Sequence, residues 1–298
     1  MENVKVSVII PVYNTAPYLK EAIGSVLCQS LADIEVIAVN DGSSDNSLQI
    51  LNELAETDKR LKVISYEKNV GVSICRNTGL EAARGEFIYF FDSDDIIEID
   101  CLELCYKKML ESDYDFIVFD GLSFSEVGVK AGFNASYQRT RLFKQDVYSG
   151  KSVINMLIAE KSYSCSVCLC FIRKDFLLQN QLSFHPGVLY EDVLYAAKMY
   201  LSASQVSFVP RTFFHRRVRE NSTMTSRVTP LNIGYRFTVA NELLKLKSVF
   251  ADKQSTRVLN HQARNLFVFL IKSLIRNRQF GLLMKYLLKI KLMILRSL

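Results

Sequence analysis

The chain contains no tryptophan, only five prolines and twelve glycines among 298 residues, and no repeat with a period of roughly 20–50 residues. The low proline and glycine content excludes collagen-like chains and turn-rich linker arrays, and the missing repeat excludes a solenoid. Apolar residues make up 49% of the chain and charged residues 23%, which excludes a disordered or low-complexity protein. The length suggests two domains, or one large α/β domain with an appendage.

Three common nucleotide-binding and catalytic motifs are also missing. The chain has no Gly-x-x-x-x-Gly-Lys-Ser/Thr loop, no Gly-x-Gly-x-x-Gly after the first apolar segment, and no Gly-x-Ser-x-Gly elbow. Walker-type phosphate binding, the dinucleotide fingerprint and serine-hydrolase chemistry are therefore unsupported. Any bound nucleotide has to be held by carboxylates, a metal ion and groups at strand tips.

Acidic residues are missing from the last part of the chain. Residues 253–298 contain ten Lys or Arg and no Asp or Glu, so the net charge of +6 leaves −4 for residues 1–252. The basic charge therefore belongs to the tail. This distribution argues against a nucleic-acid partner for the body and for an anionic partner at one end.

The seven cysteines are an odd number, and the apolar run before Pro11 is too short for a signal peptide. We therefore expect a cytosolic protein with free thiols. Cys165 and Cys168, with Cys101 and Cys105, have spacings that can be drawn as a zinc site. The irregular spacing and the apolar surroundings favour buried, inert thiols.

Apolar segments alternate with amphipathic ones over the first 120 residues. Strands are predicted at 4–10, 35–39, 62–66, 87–91 and 116–119, and helices at 18–29, 45–56 with Asp45 as N-cap, 72–84 and 100–111. Apolar strands separated by helices indicate a parallel sheet covered on both faces, the doubly wound α/β class. Ligands of such sheets bind beyond the carboxyl ends of the strands. The polar clusters expected there are 11–14, 40–45, 69–71 and 92–95.

The rest of the chain is less regular and then becomes helical. Residues 121–188 have the character of sheet edge, loops and short helices, followed by a helix at 190–201 and short strands at 206–209 and 212–215. After Pro230, helices are predicted at 232–249, 257–275 and 281–298. We place a boundary near residue 228, which separates a body (1–228) from a basic helical extension (229–298).

Three carboxylates follow the strand at 87–91, in the sequence Asp92-Ser-Asp-Asp95. Like charges at this spacing raise one another's pKa unless a cation neutralises them. Oxygen ligands suit Mg²⁺ or Mn²⁺, and these ions in turn suit a diphosphate. The alternative is a turn with a helix cap, but capping needs one Asp rather than three.

Several segments resemble the family-two glycosyltransferases of the GT-A fold. The matching motifs are Ser7-Val-Ile-Ile-Pro-Val-Tyr-Asn14, Val39-Asn-Asp-Gly-Ser-Ser-Asp45, Asn69-Val-Gly71, Arg76-Asn-Thr-Gly79, Tyr89-Phe-Phe-Asp-Ser-Asp-Asp95 and Tyr190-Glu-Asp192. The resemblance is dense over about residues 5–120. It implies a Rossmann-like, mainly parallel sheet flanked by helices, with a donor half at 1–120, an acceptor half at 121–228 and the helical extension outside it.

The resemblance also implies a nucleotide-sugar site at the strand tips. Its donor-binding candidates are Pro11, Val12, Tyr13, Asn14, Asp41, Asn69, Arg76, Asp92, Ser93 and Asp94. By resemblance, Asp41 accepts from a base N–H and favours uracil, Arg76 lies near the base and diphosphate, Asp92 contacts the ribose, and Asp94 binds Mn²⁺ or Mg²⁺. Without the resemblance, Asp41 could be a turn residue and Arg76 a solvated helix position.

Glu191 and Asp192 match the family's acidic pair at the start of a helix. An inverting transfer needs a base within roughly 2.6–3.2 Å of the acceptor hydroxyl. We assign that role to Asp192, with Glu191 orienting the site or the helix. The alternative is a pair of acids that favours a helix N-terminus.

The segment Phe214-His-Arg-Arg-Val-Arg219 is a looser match. It suggests His215 as a further metal ligand and Arg216 or Arg219 as a partner of the phosphates, with a solvated basic loop as the alternative. The family often has a Trp-x-Lys element where this chain has Cys168-Leu-Cys170. That departure concerns the acceptor side of the site.

The last predicted helix is apolar nearly all round. Lys285, Lys289 and Arg296 fall within about 40° of one another at 100° per residue. The segment is interrupted too often to span a bilayer, so we expect it to lie on an anionic membrane surface. The alternative is a helix that packs on the core or on a subunit.

These observations predict a metal-dependent, inverting glycosyltransferase that uses a UDP-hexose. Its acceptor would be a glycan, polyprenyl-linked, in cell-surface polysaccharide synthesis on the cytoplasmic face of the cell membrane. One alternative is a sugar-nucleotide pyrophosphorylase, which should carry a Gly-rich basic loop where this chain has Pro11-Val-Tyr-Asn14. The other is a non-catalytic sugar-nucleotide-binding partner, against which Asp92, Asp94 and Asp192 argue.

Overall fold

The structure is a computed structural model that describes residues 4–125, 137–219, 229–276 and 278–297. The chain divides into two units. One consists of Met1–Gly187 with Glu191–Ser226, and the other of Val188–Tyr190 with Arg227–Leu298.

The strands of the first unit form one sheet. Those within the described residues are β1 (Val6–Val12), β2 (Ile34–Asp41), β3 (Leu61–Tyr66), β4 (Phe87–Phe90), β5 (Ile96–Ile97), β6 (Phe116–Ser125), β7 (Cys170–Arg173) and β8 (Val206–Val218). Their order is β3-β2-β1-β4-β7-β6-β8-β5. The first four strands in that order are parallel, β7 runs antiparallel to β4 and β6, and β6 pairs parallel with β8.

Helices cover this sheet because the strands are apolar on both faces. The helices of this unit are α1 (Ala16–Leu27), α2 (Ser47–Thr57), α3 (Val72–Ala82), α4 (Cys101–Met109), α5 (Gly150–Ala159), α6 (Lys174–Gln179) and α7 (Glu191–Ser202). All eight residues of β2 are buried, and α1 buries Leu19, Ala22, Ile23 and Val26 at helical spacing. The predicted mostly parallel sheet flanked by helices is therefore confirmed.

Two local predictions were wrong. Asp45 does not cap α2, which begins at Ser47; its carboxylate accepts from the backbone N–H groups of Ala16 and Ser47, at 3.0 Å each. The strands predicted at 206–209 and 212–215 are one strand, β8. The pairing of β8 with β6 shifts register on either side of Asp120, so the strand continues through an irregularity that the sequence pattern shows as a break.

The cysteines are free thiols, and Cys75, Cys101, Cys105, Cys168 and Cys170 are buried. Within the described residues, no group of three or more His, Cys, Asp or Glu side chains could hold a metal ion. The zinc site that the spacing could suggest is therefore not formed.

The second unit is helical, with α8 (Pro230–Lys245), α9 (Lys253–Arg276) and α10 (Phe280–Ser297). Its small core contains Ile233, Leu270 and Leu274, against which Leu282, Leu283 and Tyr286 of α10 pack. Side chains after Lys289, including Arg296, lie outside the described residues. No helix in the part of the chain described above is long and apolar enough to cross a bilayer.

A glycine pair in two helices tests the packing of α3 on the sheet. A Cβ at Gly79 in α3 would lie 2.3 Å from Cγ2 of Ile9 in β1, whereas a Cβ at Gly24 in α1 would meet nothing within 4 Å. Gly79→Ala is therefore expected to destabilise the fold by about 1–3 kcal/mol through overpacking. Gly24→Ala, the matched control, should stabilise it by about 0.5–1 kcal/mol. Urea unfolding of both variants measures the difference, and equal effects would contradict this packing.

Candidate active site at the carboxyl ends of the strands

The tips of β1 and β2 are joined by hydrogen bonds. Asn14 has a positive φ of 51°, its Oδ1 accepts from the backbone N–H of Ser44 at 2.8 Å, and its own N–H donates to Ser43 Oγ at 3.1 Å. The turn after β4 is joined to the tip of β1 by a hydrogen bond between Thr15 Oγ1 and Ser93 Oγ, which lie 2.9 Å apart. The polar clusters predicted at separate strand ends are therefore brought together.

The remaining residues of the first tip differ in exposure. The side chain of Val12 is fully buried in the core, Pro11 is partly buried, and Tyr13 is 48% exposed. Tyr13 therefore has the most side-chain surface available to a ligand among these three predicted donor residues.

Asp41 holds the loop that follows β3. Its carboxylate accepts from the N–H groups of Val70 (2.6 Å) and Gly71 (3.1 Å) and from Asn69 Nδ2 (3.0 Å), and the residue is 3% exposed. The next residue, Gly42, has φ +63°, and a Cβ there would lie 2.5 Å from the carbonyl carbon of Lys68. The structure thus brings Asp41 and Asn69 together as a loop anchor, and the contact with a base stays a prediction.

Three carboxylates crowd the turn after β4, as the sequence predicts. Burial and the neighbouring Asp92 charge raise the pKa of Asp94, although Arg219 works in the opposite direction. Asp95 is 3% exposed, and burial together with Asp94 and Asp92 raises its pKa well above the usual value. Its Oδ1 accepts from the backbone N–H of Arg217 at 2.7 Å.

Arginines at the end of β8 neutralise this turn. Arg219 Nε donates to Asp94 Oδ2 at 2.6 Å, and Arg217 Nε donates to the backbone carbonyl of Asp94 at 2.9 Å. Both guanidinium groups lie over the ring of Tyr18, at 5.2 Å for Arg217 and 5.1 Å for Arg219. The sequence suggested Arg216 or Arg219 as a partner of the phosphates, or a solvated basic loop, and the pairing of Arg219 with Asp94 was missed. The opposite charges of the two segments were the available signal.

His215 lies beside a carboxylate. Its Nε2 lies 2.6 Å from Glu98 Oε1, beside β5 and β8. Arg216 Nη1 donates to the hydroxyl of Tyr137 at 2.8 Å. In this arrangement His215 pairs with Glu98, and its role as a metal ligand stays a prediction.

Arg76 connects the turn after β4 with the start of α7. Nη2 donates to Asp92 Oδ1 at 2.8 Å, and Nη1 donates to Glu191 Oε1 at 2.7 Å. Burial alone would lower the pKa of Arg76, but the charges of Asp92 and Glu191 raise it above the usual value. Glu191 is itself 7% exposed, and burial raises its pKa against the influence of Arg76.

Asp192 lies in the first turn of α7 and is partly buried. Its Oδ1 accepts from the backbone N–H of Val193 at 2.9 Å, and its Oδ2 accepts from the thiol of Cys165 at 3.1 Å. Burial raises the pKa of Asp192, although the Cys165 hydrogen bond opposes this change. A carboxylate with a raised pKa is a better general base near neutral pH. The sequence favoured an inert thiol at Cys165 and gave no indication of this contact.

The acids at the β4 tip fit a divalent cation that shares its ligands with a substrate. Mg²⁺ is usually held by one or two carboxylates together with phosphate oxygens, rather than by an all-protein cage. Asp92 and Asp94 supply two carboxylates, and the Asp92 side chain is 39% exposed. Burial, and then the charge of Asp92, raise the pKa of Asp94, and a bound cation would offset both effects.

The chain is similar to known proteins over most of its length. The model of the family described as "Glycosyl transferase family 2" matches residues 7–177. Glycosyltransferase GlyA of Streptococcus pneumoniae serotype 4 is 32% identical over 280 residues, which cover 88% of this chain and 39% of GlyA. The chain therefore spans about two fifths of the length of that relative.

Two solved structures share the fold. S. aureus TarS 1-349 in complex with UDP-GlcNAc matches with a TM-score of 0.68 and 25% identity, over 90% of this chain and 81% of that one. The mannosyltransferase PcManGT from Pyrobaculum calidifontis, in complex with GDP-Man and Mn²⁺, matches with a TM-score of 0.59 and 19% identity, over 91% and 72%. The likeness to PcManGT concerns the fold alone.

Proposed function

Because this chain belongs to glycosyltransferase family 2 and is a glycosyltransferase with the GT-A fold, we propose that it is an inverting, metal-dependent enzyme. Its donor is a UDP-sugar, with a hexose as the sugar, and its acceptor is a lipid-linked glycan in cell-surface polysaccharide synthesis. The proposal rests on the buried side chain of Arg76, which donates to Asp92 and to Glu191. Asp92 lies in the turn after β4, called here the donor-side turn, and Glu191 directly precedes Asp192. TarS, a relative in fold and sequence, is solved with UDP-GlcNAc, which supports the uridine donor.

The chemistry follows from the two groups of acids. Mn²⁺ or Mg²⁺, held by Asp94 and Asp92 together with the diphosphate, would supply Lewis-acid stabilisation of the leaving group. Asp192 takes the proton of the acceptor hydroxyl while the oxygen of that hydroxyl forms a bond to the anomeric carbon. The bond from that carbon to the diphosphate breaks at the same time, and its electron pair leaves with the diphosphate. Attack from the face opposite the leaving group inverts the anomeric centre.

The general base is tested by Asp192→Asn, which keeps the shape of the side chain but removes its basicity. We expect turnover to fall by about 10²–10⁴-fold while the affinity for UDP is retained. A panel of UDP-, GDP- and dTDP-sugars with Mn²⁺, read as nucleotide release, first identifies the donor. Asp175→Asn is the matched control, because Asp175 is an exposed acid in the first turn of α6. Transfer by Asp192→Asn at the wild-type rate would assign the base elsewhere.

The metal site is tested by Asp94→Asn. Because this change removes one of the two carboxylates proposed to hold the ion, metal-dependent UDP binding in calorimetry should be lost. Asp100→Asn serves as control, since Asp100 also pairs with an arginine, Arg211, at 2.9 Å but lies outside the site. If UDP affinity is the same in wild type, in Asp94→Asn and with chelator, the metal role is refuted.

We also propose that the helical unit binds the surface of an anionic membrane. In α10, Phe280, Met284, Leu287 and Leu288 are exposed and fall within roughly 100° of one another at helical spacing. Lys285 and Lys289 lie along one side of this apolar stripe. In α9, the exposed face mixes Val268 and Ile275 with four basic residues, Arg257, Arg264, Lys272 and Arg276. An exposed apolar stripe beside cations is the composition that an interfacial helix requires.

This surface is tested by Leu288→Glu in a flotation assay. Truncating α10 would expose its packing partners, so a single exposed position is the better choice. We expect the wild-type protein to float with phosphatidylglycerol vesicles at low salt and Leu288→Glu to float markedly less. Leu178→Glu is the matched control, because Leu178 is 55% exposed in the first unit and Leu288 is 59% exposed. A wild-type protein that stays unbound on these vesicles would refute the proposal.

A further inference from the structure

Arg76 lies near the middle of α3 and is buried, at 6% exposure, between two acids distant in sequence. Asp92 is 16 residues away and Glu191 is 115 residues away, and each accepts from a different terminal nitrogen of the guanidinium. One arginine therefore holds the donor-side turn and the start of α7 in a fixed relation. Only the planar fork of arginine presents two such nitrogens in fixed geometry.

The remaining surface of the guanidinium is enclosed by the protein. Its carbon lies 5.1 Å from the centroid of the Phe184 ring. Its Nε is buried and has no hydrogen-bond partner within the described part of the chain. Each terminal nitrogen already donates one hydrogen bond to a carboxylate, and the side chain is 7% exposed, which leaves little of the guanidinium open to a phosphate. This placement differs from the donor contact that the sequence resemblance implies.

The next residue of α3, Asn77, makes a second connection towards α7, through Phe184. Asn77 Nδ2 donates to the Phe184 carbonyl at 2.9 Å, and the Phe184 N–H donates to Asn77 Oδ1 at 2.8 Å. The ring of Phe184 stacks on Tyr195 of α7 with centroids 3.9 Å apart. Thus α3 supports α7 at its first residue through Arg76 and one turn later through Phe184.

We propose that Arg76 is a positioning residue that fixes the Glu191–Asp192 pair against the donor-side acid Asp92, and that it does not itself bind the donor. This inference rests on the proposed function. A general base must be held close to its productive position, because a misplacement of about 1 Å costs on the order of 10²-fold in rate. Asp192 follows Glu191 directly, so a change in the Arg76–Glu191 pair moves the base.

The test is the separation of turnover from donor affinity in Arg76→Lys. Lysine keeps the charge but presents one nitrogen, so it cannot hold both carboxylates in the same geometry. We expect kcat to fall by about 10²-fold, while the calorimetric affinity for UDP with Mn²⁺ changes less than threefold. Arg84→Lys is the matched control: Arg84 pairs with the buried Glu35 at 3.0 Å, at the opposite end of the strands. It should leave kcat unchanged.

A double-mutant cycle with Glu191→Gln distinguishes positioning from a general loss of stability. If Arg76 acts through Glu191, the losses of kcat in Arg76→Lys and Glu191→Gln are not additive in the double variant. If Arg76→Lys does not fold, Glu191→Gln alone decides, and it should lose kcat with UDP affinity retained. Additive losses, or a loss of UDP affinity that matches the loss of kcat, overturn the inference. A wild-type protein that neither binds UDP nor transfers a sugar would instead refute the proposed function, and this inference with it.

Discussion

The balance of charge at the turn after β4 determines how the rest of the site is built. Asp92, Asp94 and Asp95 lie within four residues, and burial makes the charged forms of Asp94 and Asp95 costly. Arg76 and Arg219 pair with two of these acids. Each arginine comes from a different element, so neutralising the turn also fixes α3 and the end of β8 around it.

The carboxylates at the tips of β2 and β4 have different partners and different exposure. The carboxylate oxygens of Asp41 accept hydrogen bonds from the backbone N–H groups of residues 70 and 71 and from the side chain of Asn69. Asp41 therefore holds the loop after β3 in place. Asp92 pairs with Arg76 through one oxygen and keeps an exposed surface. The site therefore combines hydrogen-bonded loops at the tips of β1, β2 and β3 with a charged turn in which Asp92 stays partly exposed. This combination suits a substrate that brings both a flat base and a diphosphate.

Much of the fold was predictable because it depends on local patterns. The apolar strands β1 to β4 and the helices between them follow from periodicity, and the acids appear at strand ends where the sheet class predicts a ligand. The partners of those acids were not predictable from spacing, since Arg219 lies 125 residues after Asp94 and Glu191 lies 115 residues after Arg76. β8 was divided in two because Pro210 and Arg211 break its apolar pattern, although its pairing with β6 resumes beyond them. The thiol of Cys165 gave no signal in the sequence, because its contact with Asp192 depends on the tertiary fold.

The strand order also has a consequence for how the chain folds during synthesis. β2 pairs with its sequence neighbours β1 and β3, but β4 pairs with β1 and β7 across much longer stretches of chain, and the acidic turn is completed by Arg217 and Arg219. Contacts of such long sequence separation form after local ones, since a longer loop must be closed. A nascent chain that ends before Arg217 therefore carries its three aspartates without Arg217 and Arg219. Until those residues leave the ribosome, water must solvate the carboxylates of Asp94 and Asp95, which pair with Arg219 and Arg217 in the complete fold.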